Sequence, residues 1–191
     1  MARIRYADPS ELPPEKRDLL DTLSDADPEA RDHSLEGGTL NVYRTLGRNV
    51  DVLEGFREYG GVVWEAGGLS AHERETVILS TAYYAETAYE WHQHVRVALD
   101  EGMDPEAILA ISREETDRLP ADRATLVAYV ERFVEGDVDD DLHEQVAAHY
   151  DEETILGVNA LAGCYLGLAR LLQALDVDLE QEFVGWDLEN L

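Results

Sequence analysis

Apolar positions along this chain recur every three to four residues rather than every second one, so its apolar runs read as faces of helices. Residues 50–66 carry Leu53, Phe56, Val62 and Val63 in this way. Ser70-Ala71-His72-Glu73 has the form of a capping box, the serine accepting from the glutamate N–H and the glutamate reaching back. The helix it opens bears Val77, Ile78, Leu79, Ala82 and Tyr83. The pattern breaks at 85–87, resumes, and stops at Gly102, a residue suited to the left-handed position that closes a helix. Asp104-Pro105 supplies an N-cap followed by proline at the first helical position, starting a short helix through Ile111. Leu119-Pro120 opens another to about Glu135, with Leu126, Tyr129, Val130 and Phe133 on one face. Helices over 141–149 and 152–174 follow; the second is the longest apolar segment and is expected at the centre or at an interface.

Between these runs lie the punctuating segments. Residues 1–36 are rich in Pro and Asp and read as a loosely ordered arm with one short helix around 15–23. Gly37-Gly38 is a break, and 39–46 carries Leu40, Tyr43 and Leu46 at helical spacing. Gly60-Gly61, inside the 50–66 pattern, costs about 2 kcal/mol of helix propensity, which predicts a kink or a close helix contact. Residues 136–141 form an acidic turn without the alternating ligands and closing Glu of a calcium loop. The acidic tail, 177–191, carries Phe183 and Trp186 and is expected to dock, onto a neighbouring subunit. The expected fold is all-α, seven or eight helices, with a domain at 37–176 between the arm and the tail.

Charge narrows the partners. Forty-two Asp and Glu face fifteen Lys and Arg, a formal charge of −27, and Lys16 is the single lysine. Such a surface repels nucleic-acid phosphate and anionic lipid, so neither nucleic acid nor membrane is an expected partner. The composition resembles that of proteins from salt-accumulating archaea, where a Debye length of ~3 Å at molar salt screens the repulsion. No apolar run approaches the ~20 residues of a membrane span, and MARIRYADPSELPPEK lacks the apolar core of a secretory signal. One cysteine, Cys164 in LAGCYLGLA, excludes an internal disulfide and fits a reducing cytoplasm. In that small, apolar setting it reads as an inert buried thiol.

Chemistry concentrates in Glu90-Trp91-His92-Gln93-His94. Residues four apart on a helix lie about 40° apart around its axis, so Glu90 and His94 share a face, with Thr87 one turn earlier and Tyr83 near the end of the preceding helix. His92 lies about 200° from Glu90 and points away. Three ligands therefore cannot converge from 90, 92 and 94, no second Glu-x-x-His is present, and no metal is expected. His143-Glu144 with His149 has the wrong gap for a zinc protease. A hairpin turning near Ala85 brings Glu75 beside His94. Glu75, Glu90 and His94 then form a constellation suited to general acid–base work, with Tyr83 or Thr87 as hydrogen-bond donors. A solvated Glu90–His94 pair, worth a few tenths of a kcal/mol, is the bland alternative; the adjacent Trp91 argues for burial.

The stretch ERETVILSTAYYAETAYEWHQHVRVALDEGM resembles the core motif of the carboxymuconolactone decarboxylase family, which includes AhpD-like alkylhydroperoxidases. In that pattern a glutamate opens one helix and a histidine follows nineteen residues later, within Tyr-Glu-Trp-x-x-His. Glu75, Tyr89, Glu90, Trp91 and His94 match it. The likeness extends over roughly 37–180 and implies an AhpD-like helical bundle. The peroxidase branch places cysteines seven and four residues before the histidine, where this chain has Thr87 and Glu90. A thiol–disulfide cycle needs two thiols, so the resemblance implies the cysteine-free, decarboxylase-like branch. It further implies a cytoplasmic, homo-oligomeric lyase that acts on a small lactone or keto acid without a cofactor. His94 would be the proton donor and Glu75 and Glu90 its tuning groups. Arg44 and Arg96 are candidates for the substrate carboxylate. The alternatives are a non-catalytic helical oligomer or small-ligand binder, and an antioxidant protein that dispenses with the paired thiols.

Overall fold

The computed structural model describes residues 2–20, 40–65 and 67–191, and among these it contains helices and no strand. Eight α-helices follow in order: α1 Asn41–Leu46, α2 Val50–Glu65, α3 Ala71–Tyr84, α4 Ala88–Asp100, α5 Pro105–Ser112, α6 Ala121–Glu135, α7 Asp140–Ala147 and α8 Glu152–Leu175. Short 3₁₀ turns at Pro9–Glu11, Pro14–Leu20 and Thr116–Arg118 complete the set. The Gly37-Gly38 break, Thr39 and the end of the helix expected at 15–23 lie outside the described residues.

Helix α3 is the axis of the molecule. It packs against α4, α5, α6 and α8, and eight consecutive residues, Glu75 to Ala82, are buried. A helix apolar on most sides must be enclosed on most sides. Its start is the capping box, with Ser70 and Glu73 exchanging hydrogen bonds. Its end is a tight turn in which Glu86 takes a left-handed φ of 56°. Gln173 on α8 donates to the carbonyls of Ala85 and Glu86 at 2.7 and 3.1 Å, satisfying the orphan acceptors a helix end leaves. This turn folds α4 antiparallel onto α3 and places His94 opposite the start of α3.

Three expectations require correction. Gly60-Gly61 makes neither kink nor contact: α2 runs unbroken, and a Cβ on either glycine would meet nothing within 4 Å. The close approach lies at Gly157 on α8, where a Cβ would stand 2.6 Å from the Gly67 backbone. The N-terminal arm is not loose over residues 2–20. Ala7, Leu12 and Leu20 are buried, and Arg3 N–H donates to the Leu175 carbonyl at 2.8 Å. Finally, α8 is long and apolar enough to cross a membrane by length and composition alone. Its charges sit at Glu152, Glu153 and Arg170, leaving 154–169 uncharged. Here part of that apolar surface packs against α2, α3 and α6, while Leu156 stays exposed.

The tail docks, but on its own chain rather than on the neighbouring subunit expected. Trp91 Nε1–H donates to the Gly185 carbonyl at 3.0 Å, and Val184 N–H donates to His92 Nδ1 at 3.0 Å. Trp186 packs its ring 5.3 Å from Trp91 and 5.7 Å from Tyr83.

Candidate active site

The α3–α4 hairpin delivers the expected pair. His94 Nδ1 and Glu75 Oε2 are 2.8 Å apart, and Glu75 is fully buried. A buried carboxylate without a partner costs several kcal/mol. Glu75 has two: His94, and Arg74, whose Nε–H reaches Oε1 at 3.2 Å. Arg74 is fixed in turn by Glu101 at 3.2 Å and by the Trp64 ring, 4.1 Å below its guanidinium carbon. The His94 ring stands edge-on to Tyr165 at 4.9 Å and tilts against Trp64 at 5.9 Å. Because Nδ1–H donates to Glu75, the imidazole is held in one tautomer and Nε2 is left for proton transfer.

Glu90 does not flank the imidazole by a hydrogen bond. It is 2% exposed, and neither carboxylate oxygen has a hydrogen-bond partner. Burial pushes its carboxyl well above the usual carboxylate range, favouring the neutral form. It lies within electrostatic reach of Cys164 and Tyr165, on the α8 side of the site. Burial and then Glu90 push the Cys164 thiol up to about 11, the reverse of what an attacking thiolate needs.

The other expected residues go elsewhere. Thr87 is buried at the N-cap of α4 without capping it, and accepts from Gln173 at 3.4 Å. Tyr83 turns to the tail, against Trp186, and its hydroxyl donates to Glu114 at 3.5 Å. Arg44 secures the arm through the Ala7 carbonyl at 3.2 Å and stacks over Tyr6. Arg96 acts electrostatically on His92. Sequence spacing missed Arg74, Trp64 and Tyr165. Adjacent residues on a helix do not face each other, so Arg74 beside Glu75 carried no signal. Trp64 and Tyr165 come from helices remote in sequence. An open hollow of about 630 Å³, lined by His143, Tyr150, Asp151, Ile155 and Asn159 among others, is a separate feature. Its α8 lining begins at Asn159, ~9 Å along the helix from Tyr165 at 1.5 Å per residue.

No His, Cys, Asp or Glu cluster able to hold a metal occurs among the described residues. No curated protein matches the sequence. Among solved structures, the fold is similar to an AhpD-core, peroxidase-related protein from Ralstonia eutropha JMP134. The TM-score is 0.78 at 18% identity, over 97% of this chain and 96% of that one. A peroxidase-related protein from Silicibacter sp. TM1040 gives 0.68 at 16% identity, over 96% and 94%. The debrominase Bmp8 gives 0.70 at 15%, over 80% and 83%. These likenesses establish the fold. Residues 51–130, which carry Glu75, Glu90 and His94, match the carboxymuconolactone decarboxylase family. Over those residues the chain is similar to the carboxymuconolactone decarboxylase family, and the helical fold around them is similar to that of AhpD-like proteins.

Proposed function

We propose that the Glu75–His94 pair is the proton-transfer centre of a cofactor-free, decarboxylase-like enzyme acting on a small lactone or keto acid. The observation that carries this reading is the 2.8 Å hydrogen bond from His94 Nδ1 to a fully buried carboxylate clamped by Arg74. In the reaction, the bond between the substrate carbon and its carboxylate breaks and CO2 leaves. The electron pair enters the conjugated carbonyl system as a dienolate. His94 Nε2–H then delivers a proton to carbon, Glu75 stabilises the imidazolium before the transfer, and solvent restores the proton. Glu90, its neutral form favoured by burial, is suited to donate a hydrogen bond to the enolate oxygen, where developing negative charge gains most.

A thiol peroxidase cycle finds no support in a single cysteine whose thiol is pushed up to about 11. The test is turnover by His94→Gln and Glu75→Gln on a panel of lactone and 2-oxo acids. A substrate converted equally well by the wild type and both variants would defeat the assignment.

The same reading takes the enzyme to be a cytoplasmic homo-oligomer. Val62 on α2 and Leu156 on α8 are 61% and 69% exposed, and the two helices are joined by the Tyr59 hydroxyl, which donates to the Ala160 carbonyl at 3.4 Å. Val62→Asp with Leu156→Asp should reduce the mass measured by sedimentation; an unchanged mass would place the contact elsewhere.

A further inference from the structure

The proton-transfer centre has no cation of its own for an acidic substrate, since Arg74 is already paired with Glu75 and Glu101. A second arginine on the same side of the molecule is differently placed. Arg57, on α2, lies with its guanidinium carbon 4.5 Å over the ring of Tyr43. Its Nη1 is buried and has no hydrogen-bond partner. Among the described residues Arg57 is in no ion pair, whereas Arg48, Arg74, Arg113 and Arg132 each hold a carboxylate. A buried, charged donor left unpaired is costly unless something else receives it.

The position of Tyr43 links this arginine to the reacting groups. Tyr43 and Glu75 both act electrostatically on the Tyr165 hydroxyl, as do Glu90 and Cys164. Tyr165 in turn stands edge-on to His94 at 4.9 Å. Arg57 and Tyr43 thus lie within electrostatic reach of Tyr165, which packs on His94, and Trp64 is a further aromatic ring beside His94. Resting on the acid–base reading above, we propose that Arg57 Nη1 anchors the carboxylate of a planar, unsaturated monocarboxylic acid whose body lies against Tyr43 and Tyr165.

Each part of that description follows from the surroundings. Guanidinium donors match carboxylate oxygens in geometry and hold them by charge-assisted hydrogen bonds. Aromatic walls favour a flat, conjugated body over a branched aliphatic one. One unpaired cation supports one anionic charge; a second would meet Glu75 and the field of a protein at −27. Of the arginines named from sequence, Arg44 holds the N-terminal arm, and Arg96 acts electrostatically on His92.

Titration calorimetry at fixed ionic strength, with benzoate as the acid and benzamide as its uncharged isostere, tests the anchor directly. Benzoate should bind the wild type at least tenfold more tightly than benzamide. Arg57→Gln should weaken benzoate at least tenfold and leave benzamide unchanged, while Arg57→Lys, keeping the charge without the fork, should fall between. A thermal melt of Arg57→Gln within a few degrees of wild type shows that the fold is intact. Three results would overturn the anchor: no benzoate binding to the wild type at 10 mM or so, equal affinity for acid and amide, or benzoate affinity unaltered in Arg57→Gln. His94→Gln separates the two ideas. It should abolish turnover and keep benzoate binding; retained turnover defeats the acid–base reading alone, and indifference to Arg57 defeats the anchor alone.

Discussion

Helix α4 has two histidines two positions apart, and they belong to different parts of the molecule. His92 faces the C-terminal tail, where polar groups are paired: Val184 N–H on its Nδ1, Trp91 Nε1–H on the Gly185 carbonyl, Gln93 on Glu180 at 2.8 Å and the Tyr89 hydroxyl on Glu180 at 2.7 Å. His94 faces α3 and α8, where pairing is selective. Glu75 is tied down from two sides, yet Glu90, one turn before His94 on α4, is buried with both oxygens unpartnered. The first face is saturated, as a structural joint should be. The second leaves donors and acceptors for something else, and such orphan groups collect where binding or chemistry occurs.

If that contrast is right, the largest effect belongs to His94. His94→Gln and Glu75→Gln should each lower kcat by about 10²–10⁴-fold, the usual worth of general acid–base catalysis, with little change in melting temperature for His94→Gln. The matching change on the other face, Trp186→Ala, should do the reverse. It removes a ring stacked on Trp91, Tyr83 and Phe183 and should cost about 3 kcal/mol of stability in urea titration, with turnover per folded molecule retained. A Trp186→Ala protein that is fully stable but inactive would invert the division of labour drawn here.

Glu90 sharpens the contrast from the thermodynamic side. Glu90→Met replaces two unpartnered oxygens by an apolar group of similar length, and should raise stability at pH 7 by about 1–3 kcal/mol while turnover falls. The pH dependence has a definite sign. Burial raises the folded pKa of Glu90 above its ordinary value near 4.5, so the folded state binds the proton more tightly than the unfolded one. The stability this provides is complete below about pH 4.5 and is lost as pH rises through the folded value. Glu90→Met should remove that downward slope; urea midpoints at intervals from pH 4 to pH 8 would show it. A variant no more stable than wild type would mean that Glu90 has partners in solution.

How far all this could be read from sequence depends on whether a feature is local. The caps at Ser70 and Asp104, the Glu75–His94 encounter and the turn of His92 away from Glu90 follow from the 3.6-residue period and one hairpin, all within about thirty-five residues of chain. Gly60-Gly61 misled because composition shows that a glycine could admit a neighbour, and says nothing about which helix comes near; the close approach is at Gly157 instead. Arg57, Trp64 and Tyr165 reach the site from α2 and α8 through long-range packing, which no spacing rule encodes. The surroundings of the arginines chosen from sequence likewise depend on packing. Arg44 and Arg96 are near in sequence to plausible elements, but the arm takes the first and the His92 face the second. The tail's docking was legible in its aromatics, although its destination on α4 was not.

The smallest expected effect is on the saturated face, and its sign opposes that of Glu90. Burial, then the charge of Arg96, lowers the pKa of His92 in the fold, while Glu180 works against both. A depressed histidine pKa means that the unfolded chain binds the proton more readily. Stability is therefore present above the ordinary value near 6.5 and declines as pH falls below it through the folded pKa. The structural cause is specific: Nδ1 accepts from Val184 N–H at 3.0 Å, and once protonated it is a donor facing a donor. Losing one buried hydrogen bond is worth about 1 kcal/mol, enough to loosen the tail without unfolding the bundle. His92→Gln offers a side-chain oxygen that can accept but does not titrate. In that variant the acid-side loss between pH 6.5 and pH 5, followed by tryptophan fluorescence of the tail, should flatten, while the Glu90 slope persists. An unchanged acid profile in His92→Gln would mean that the tail is released by another group and that the two faces of α4 do not answer pH in opposite directions.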